Sequence, residues 1–128
     1  MKNTNPIIVN TDTPQFVSWF AGSAKIVADH YANVFPTLTP HVLSFEAGSR
    51  YIRIWSRSQE LDKVTDRPIN SSAHAFIDRT TGDVLKPATW KAPAKHARGN
   101  IFDDKNGLGS MGEYGPAYLK QGRKALSV

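Results

Sequence analysis

The sequence predicts an α+β domain in which one long amino-terminal helix packs across an antiparallel sheet of about four strands, followed by an irregular basic extension. Three observations carry this prediction. Apolar residues recur at helical spacing after Pro14, later stretches alternate apolar and polar residues, and residues 106–116 contain four glycines and a proline. The 128 residues are expected to form one domain, with a loose leader (1–12), a helix and sheet (13–87) and a basic, Gly-rich extension (88–128).

Composition limits the classes of protein. The chain has no cysteine, which excludes disulfides and thiolate metal sites. It has no run of 18 apolar residues and no signal-peptide pattern near its start, so we expect a cytoplasmic protein that does not cross a membrane. The formal net charge of +5 favours an anionic partner, such as nucleic acid or an acidic protein surface.

The predicted helix begins at Thr13 and Pro14. A Thr side chain can accept a hydrogen bond from a free amide of the first turn, and proline at the first helical position gives up only a donor that has no partner. The helix should end near residues 33–35, because Pro36 restricts the residue before it. The expected apolar stripe comprises Phe16, Trp19, Phe20, Ala24, Val27, Ala28, Tyr31 and Val34.

Two strands follow the helix. Residues 42–47 alternate and place Leu43, Phe45 and Ala47 on one face, and Gly48 and Ser49 form a turn. Residues 50–57 alternate in the same way, with Ile52 and Ile54 on the face expected to lie under the helix. The opposite face of this second strand carries Tyr51, Arg53, Trp55 and Arg57.

A polar loop, residues 58–71, leads to a predicted hairpin. Its first strand, residues 72–78, should place Ala73, Ala75 and Ile77 under the helix and His74 and Phe76 on the opposite face. Residues 78–82 supply the turn, because Asp78 can accept hydrogen bonds from nearby amides and Gly82 can adopt a left-handed conformation. Residues 83–86 form the fourth strand, which Pro87 ends.

The remaining residues are expected to be less regular. Pro93 can start a helix of one or two turns that Gly99 caps, residues 106–116 are too rich in glycine for regular structure unless something holds them, and Pro116 can open a last short helix. The stretch from Val84 to Phe102 has no acidic residue. It carries five basic or titratable side chains and one tryptophan, namely Lys86, Trp90, Lys91, Lys95, His96 and Arg98.

The aromatic and basic side chains predict a binding surface. Aromatic rings stack on unpaired bases, and guanidinium groups pair with phosphates. The candidate anion-binding or nucleic-acid-binding residues on the open face of the sheet are Tyr51, Arg53, Trp55, Arg57, His74 and Phe76, continued by Lys86, Trp90, Lys91, Lys95, Arg98 and Asn100. The competing interpretation is that the residues after Pro87 cover this face and bury Trp55 and Phe76.

No catalytic residue, metal site or cofactor is predicted. Residues 107–112 match the dinucleotide-binding pattern, but no hydrophobic strand precedes them, so the match is attributed to chance. The four histidines lack the spacing of metal ligands. A metal-dependent nuclease remains an alternative, built on Asp78, Asp83 and Lys86, or on these with Glu46, although aspartates in turns usually stabilise the turn.

The segment Phe76 to Ile101, F-I-D-R-T-T-G-D-V-L-K-P-A-T-W-K-A-P-A-K-H-A-R-G-N-I, resembles a stretch found in short uncharacterised proteins of tailed bacteriophages. The resemblance covers about a fifth of the chain and implies a viral protein in an infected bacterial cytoplasm. It implies no chemistry. The residues to which it points are Trp90, Lys91, Pro93, Lys95, Arg98, Gly99 and Asn100.

Three functions follow from these observations. The first is a small non-enzymatic phage protein that binds nucleic acid, most simply as a single strand. The second is a protein-interaction module, either a virion component or an inhibitor of a host protein, which implies an oligomer or a complex with an acidic partner. The third is a protein that sequesters small phosphorylated or nucleotide ligands with Arg98, Lys95 and the glycine-rich loop.

Overall fold

The computed structural model describes residues 6–117. Its elements are α1 (Pro14–Val34), β1 (Val42–Ala47), β2 (Tyr51–Arg57), β3 (Ser71–Asp78), β4 (Asp83–Pro87), β5 (Pro93–Asn100), β6 (Met111–Gly112) and β7 (Gly115–Pro116). Strands β1 to β5 form one antiparallel sheet in chain order, and β6 and β7 form a separate pair. The predicted α+β class is confirmed, with a sheet of five strands instead of about four.

The start of α1 agrees with the sequence, but its cap does not. Thr13 occupies the position before Pro14, and its side chain makes no hydrogen bond to the first turn of the helix. The Thr13 Oγ1 atom instead accepts a hydrogen bond from the Asn10 amide at 2.8 Å. Pro14 contributes no amide at the start of the helix, and the hydroxyl is used to close the preceding turn.

The main core lies between α1 and one face of the sheet, called here the helix face. Trp19, Ile52, Ile54 and Ile77 are completely buried there. The rings of Phe16 and Phe20 meet the edge of Phe45 at centroid distances of 5.2 and 4.9 Å. This packing confirms the predicted inward face of β2. The helical stripe is shorter than expected, because Val34 in the last turn is 53% exposed.

Residues 6–12 are attached to the sheet, which differs from the loose leader expected. The amides of Ile8 and Val9 both donate to the Arg79 carbonyl, at 2.9 and 3.0 Å, and the Arg79 Nε donates to the Val9 carbonyl at 3.0 Å. Val9 is fully buried in the core. The short apolar run around Val9 therefore supplies a core residue. The turn-forming residues on either side of this run had favoured a loop instead.

The hairpin turn between β3 and β4 forms as predicted. Gly82 has a φ of 84°, and its amide donates to the Asp78 carbonyl at 2.7 Å. The Asp78 carboxylate accepts hydrogen bonds from the amide and the hydroxyl of Thr80, at 2.9 and 2.7 Å.

The short helix predicted after Pro93 is wrong, because residues 93–100 form β5 on the edge of β4. A turn through residues 88–92 reverses the chain, and the Thr89 hydroxyl accepts hydrogen bonds from the amides of Lys91 and Ala92. An isolated helix of one or two turns is unstable in water. Pairing with β4 gives backbone groups of the same residues hydrogen-bond partners, and β5 becomes the edge strand of the sheet.

Residues 101–117 lie on the helix side of the sheet. Ile101 is buried in the core, the Leu108 side chain lies against Gly22, and the Asn106 side chain donates to the Gln15 carbonyl at 3.0 Å. The Asp103 carboxylate accepts the amides of Lys105 and Gly107, both at 2.9 Å. These contacts hold the glycine-rich segment. The short helix predicted after Pro116 and the basic end at residues 123–124 lie outside the described residues.

Candidate functional site

The face of the sheet opposite α1, called here the outward face, is built on β2. Tyr51, Arg53, Trp55 and Arg57 alternate with the buried Ile52 and Ile54, as the sequence predicts, and each is partly exposed. Arg53 lies opposite Phe76 in the register with β3.

A β-bulge in the pairing of β2 with β3 changes the neighbours of Trp55. Ile54 pairs with Ala75, but Trp55 pairs with Ala73, so His74 has no partner in the ladder. Ala73 therefore lies opposite Trp55 and not in the core, which corrects the predicted alternation. An extra residue in one strand shifts the side-chain alternation beyond it, and sequence periodicity alone does not reveal its position.

Two predicted surface residues are buried. His74 and Phe76 are each only 2% exposed, so neither ring is available to a ligand. The Phe76 ring meets the Tyr51 ring edge-on at 6.0 Å, and Phe76 pairs with Leu85, which is 6% exposed. Phe76 is thus buried, whereas Trp55 stays partly exposed, and the Phe76 ring meets Tyr51 of the same face and pairs with Leu85, both of which precede Pro87.

Trp90 reaches this face from the turn between β4 and β5. Its ring lies 6.1 Å from the Trp55 ring, and the Arg53 guanidinium lies 4.9 Å from the Trp90 centroid and 5.9 Å from the Trp55 centroid. A cation over an indole ring is a favourable electrostatic contact. Trp90 nevertheless keeps 40% of its surface exposed, so it forms the accessible rim of this cluster.

A cleft of about 470 Å³ opens beside this cluster, lined by the turn at 46–49 and by Arg50, Tyr51, Arg53, Phe76 and Lys91. The Arg50 guanidinium lies 5.3 Å from the Tyr51 ring and 3.4 Å from the Asp78 carboxylate. Three cationic side chains thus line one cleft together with the partly exposed Tyr51. We call this site the outward cleft.

Glu46 is the acidic residue among those that line the outward cleft. It pairs with Arg53 at 2.9 Å, through the Nη2 atom. The Arg53 Nε atom is buried and has no hydrogen-bond partner within residues 6–117. The guanidinium is therefore held by Glu46 and Trp90 while one of its donors stays unused.

The other predicted residues do not join this cleft. Arg57 donates to the Ser44 hydroxyl at 2.9 Å, and Asn100 braces the β3–β4 turn through the Thr81 carbonyl at 2.8 Å and Asp83 at 3.0 Å. Lys95 is exposed on β5. Lys86 and Arg98 line a separate cleft beside β6 and β7. The basic run predicted as one continuous surface is thus divided, because the β4–β5 hairpin sends its cations in different directions.

Arg50 is the cleft residue that sequence reasoning missed. The alternation pattern predicts a second strand that starts at Arg50, whereas β2 begins at Tyr51 and Arg50 belongs to the preceding turn. A turn residue need not follow the alternation of the strand, and this freedom lets Arg50 reach the Tyr51 ring. The adjacent Gly48 and Ser49 were the available signal.

The comparison with protein families gives one match. The model described as "Family of unknown function (DUF7717)" matches residues 4–115. The chain belongs to this family. No curated protein and no solved structure matches it. The matched residues include α1 and the whole five-stranded sheet, so the outward cleft lies within the DUF7717 region of the chain.

The buried His74 of this DUF7717 chain is uncharged at neutral pH. Burial and, to a smaller extent, the nearby Lys86 cation together lower its pKa from 6.5 to about 4. The Nε2 atom of His74 is buried without a hydrogen-bond partner in the described part of the chain. His74 is therefore a packing residue in the bulge. Its imidazole gains a proton at a lower pH in the folded chain than in the unfolded chain.

The acidic residues do not assemble a metal centre within the described chain. Residues 6–117 contain no group of three or more histidine, aspartate or glutamate side chains placed to hold a metal ion. Asp78 and Asp83 both accept hydrogen bonds within the β3–β4 hairpin and its β5 neighbour. Across these same residues, no helix is long and apolar enough to cross a membrane.

Proposed function

We propose that this chain is a non-enzymatic protein that binds single-stranded nucleic acid at the outward cleft. The observation that carries the proposal is the convergence of Arg50, Arg53 and Lys91 on a cleft that the partly exposed Tyr51 also lines. Cations that meet beside exposed aromatic rings suit a ligand that is anionic along its backbone and flat in its bases.

The chemistry assigns a role to each group. The exposed part of Trp90 and the partly exposed Tyr51 offer faces on which unpaired bases stack, at about 1–3 kcal/mol for each base. Arg50, with 63% of its side chain exposed, and Lys91 face solvent and can pair with phosphates. The part of the Arg53 guanidinium that stays exposed can serve the same purpose, since 27% of this side chain is in contact with solvent. Bases inside a duplex present no free faces, which favours a single strand.

The proposed residues differ from the set expected from the sequence. They are Arg50, Tyr51, Arg53, Trp55, Trp90 and Lys91, and the interface is a compact cleft instead of a long ribbon. The resemblance of residues 76–101 to phage proteins supports placing this binding in an infected bacterial cytoplasm.

The salt dependence of binding tests the proposal. The affinity for a labelled oligothymidylate is measured by fluorescence anisotropy between about 50 and about 200 mM salt. It should fall steeply as the salt concentration rises. Lys91→Ala should reduce the slope of the logarithmic plot by about 0.7, the change expected for one lost phosphate contact on a single strand.

Lys25→Ala is the matched control, because it removes the same charge from the exposed side of α1, where Lys25 pairs with Asp29. It should leave the slope unchanged. Equal slopes for wild type, Lys91→Ala and Lys25→Ala would show that the oligonucleotide does not use the outward cleft.

A second candidate is a protein-interaction module, which the loop between β2 and β3 favours. Leu61, Val64 and Ile69 in this loop are 44, 92 and 52% exposed. Exposed apolar side chains that lie close together mark protein contacts more often than nucleic-acid contacts. This function predicts a partner that stays bound during nuclease treatment of a cell extract and is lost from the Val64→Asp variant, whereas retention of the partner by that variant contradicts it.

A further inference from the structure

Within residues 6–117, the five-stranded sheet ends in two edge strands that differ in character. Strand β5 begins at Pro93 and carries Lys95 and Arg98, and its register with β4 shifts at two places. Proline, lysine and bulges are features that keep an edge strand from pairing with another chain. Strand β1, V-L-S-F-E-A, has none of them and pairs with β2 in an unbroken register. The edge at β1 is therefore the one that is open to a further strand.

Alternate residues of β1 direct their backbone groups away from the sheet. The Gly48 amide donates to the Tyr51 carbonyl at 2.8 Å, and this pair continues the register of β1 with β2. Hydrogen-bonded and non-hydrogen-bonded pairs alternate along an antiparallel ladder, so the even-numbered residues of β1 bond to β2. The amides and carbonyls of Leu43, Phe45 and Ala47 therefore point out from the edge, where the described chain supplies no strand to meet them.

Apolar side chains lie beside this edge on the helix face. Phe45 is 37% exposed, and its ring meets the Phe20 ring edge-on at a centroid distance of 4.9 Å. Val17 lies three residues before Phe20, hence on the same side of α1, and is 52% exposed. The backbone groups at the edge thus have apolar surface next to them, as strand-to-strand interfaces between chains require.

We infer that β1 pairs with β1 of a second copy of this chain, antiparallel about a two-fold axis at Phe45, to form a continuous sheet of ten strands. In this register Phe45 lies opposite Phe45 of the second copy, and Leu43 lies opposite Ala47 of the second copy. All three outward-pointing residues of each strand then form hydrogen bonds. A two-fold axis uses the same surface on both chains, which brings the two apolar edges together. Because the axis runs through the sheet, both helices lie on one side and both outward clefts lie on the other.

This register also brings opposite charges together on the outward face. Ser44 of one chain lies opposite Glu46 of the other, and the Ser44 hydroxyl accepts a hydrogen bond from the Arg57 Nε at 2.9 Å. Glu46 uses one oxygen, Oε1, for Arg53 and has 63% of its side chain exposed. The pairing therefore directs Arg57 of each chain towards Glu46 of the other. A register centred one residue later would set the two Glu46 side chains opposite each other, which is unfavourable.

The mass of the full chain in solution, without nucleic acid, tests the inference. Sedimentation equilibrium at increasing protein concentration should show a rise from the mass of one chain to that of two. Ala47→Pro should raise the dissociation constant of the dimer at least about tenfold, because each chain loses an amide donor to its copy while the hydrogen bonds to β2 stay intact. Ala47→Ser keeps the amide and is the matched control, which should dimerise as the wild type does.

Charge reversal gives a second test that does not depend on the folding of Ala47→Pro. Arg57→Glu and Glu46→Lys each place like charges across the axis, so each variant alone should dimerise more weakly than the wild type. An equimolar mixture of the two variants should recover the dimer, because both contacts of the mixed dimer then join opposite charges. Recovery also shows that the two variants are folded.

Three outcomes would overturn the inference. One is a mass that stays at that of one chain at every concentration. Another is a dimer that Ala47→Pro leaves unchanged, since that dimer would form through a different surface. The third is a mixture of the charge variants that dimerises no better than either variant alone. Because these measurements contain no oligonucleotide, their failure is distinguishable from failure of the outward cleft to bind nucleic acid.

Discussion

The two faces of the sheet use the same strands for different purposes. On the helix face, Trp19, Ile52 and Ile77 are completely buried. On the outward face, Phe76 is buried, but Arg53 and Trp90 stay in contact with solvent. Burial of apolar area supplies most of the folding free energy. The comparison indicates that the helix face stabilises the fold and leaves the outward face able to carry charge.

The largest expected effect is a difference in stability between a variant of the core and a variant of the outward face. Ile77→Ala should lower the free energy of unfolding by about 2–5 kcal/mol, because it leaves a cavity in a fully buried site. Tyr51→Ala should cost about 1 kcal/mol, since its ring is only partly buried. Urea denaturation of both variants measures the difference. Equal losses would mean that the outward face is a second core, which contradicts the division of roles.

Next in size is the effect of filling the space at Gly115. Gly115→Ala should destabilise the chain by at least about 2 kcal/mol, because φ is 103° and a Cβ would collide with the His74 carbonyl oxygen. Gly112→Ala in the same hairpin is the control, since a Cβ there makes only ordinary contact, 3.7 Å from the Gly115 carbonyl. Similar unfolding curves for the two variants would show that the hairpin does not press on β3.

A comparable effect is expected from pH through His74. Its folded pKa of about 4 lies below the unfolded value of 6.5, so the unfolded chain binds more protons between these values. The contribution of His74 is therefore fully present above pH 6.5 and is lost as the pH falls towards 4. Lowering the pH from about 7.5 to about 5 should cost about 2 kcal/mol.

The control for this pH effect is His96, which is exposed on β5. His74→Asn should remove most of the decrease in stability between the two pH values, whatever its effect on stability at neutral pH. His96→Asn should keep the decrease. Urea denaturation at both pH values gives the comparison, and an unchanged decrease in His74→Asn would mean that the imidazole is protonated in the folded chain.

The sequence was informative wherever a local pattern determined the structure. The helix from Pro14, the strand from Val42 to Ala47 and the turn at Gly82 follow from spacing, from proline and glycine, and from the Asp78 side chain. Strand β5 was missed because Pro93 and the alanines after it have the composition of a helix start. Its pairing with β4 depends on a contact that no local window contains.

The candidate site, like the fold, was predictable only where a local pattern of residues determines it. Alternation placed Arg53 and Trp55 on one face, but it could not locate the bulge that buries His74. The even spacing of basic residues from Lys86 to Arg98 predicted a continuous surface, which a hairpin turn at 88–92 divides between two clefts. Charge composition therefore predicted the presence of basic side chains beside the clefts and not their grouping.

The most direct test of the outward cleft uses the position of the tryptophans. Trp19 is completely buried on the helix face, whereas Trp90 is 40% exposed beside the cleft. Addition of oligothymidylate should quench part of the tryptophan fluorescence of the wild type, because a base stacks on the exposed indole. Trp90→Phe should lose most of the quenching while it still binds, since the phenyl ring keeps a stacking surface. Quenching of equal size in Trp90→Phe, or none in the wild type, would contradict binding at the outward cleft.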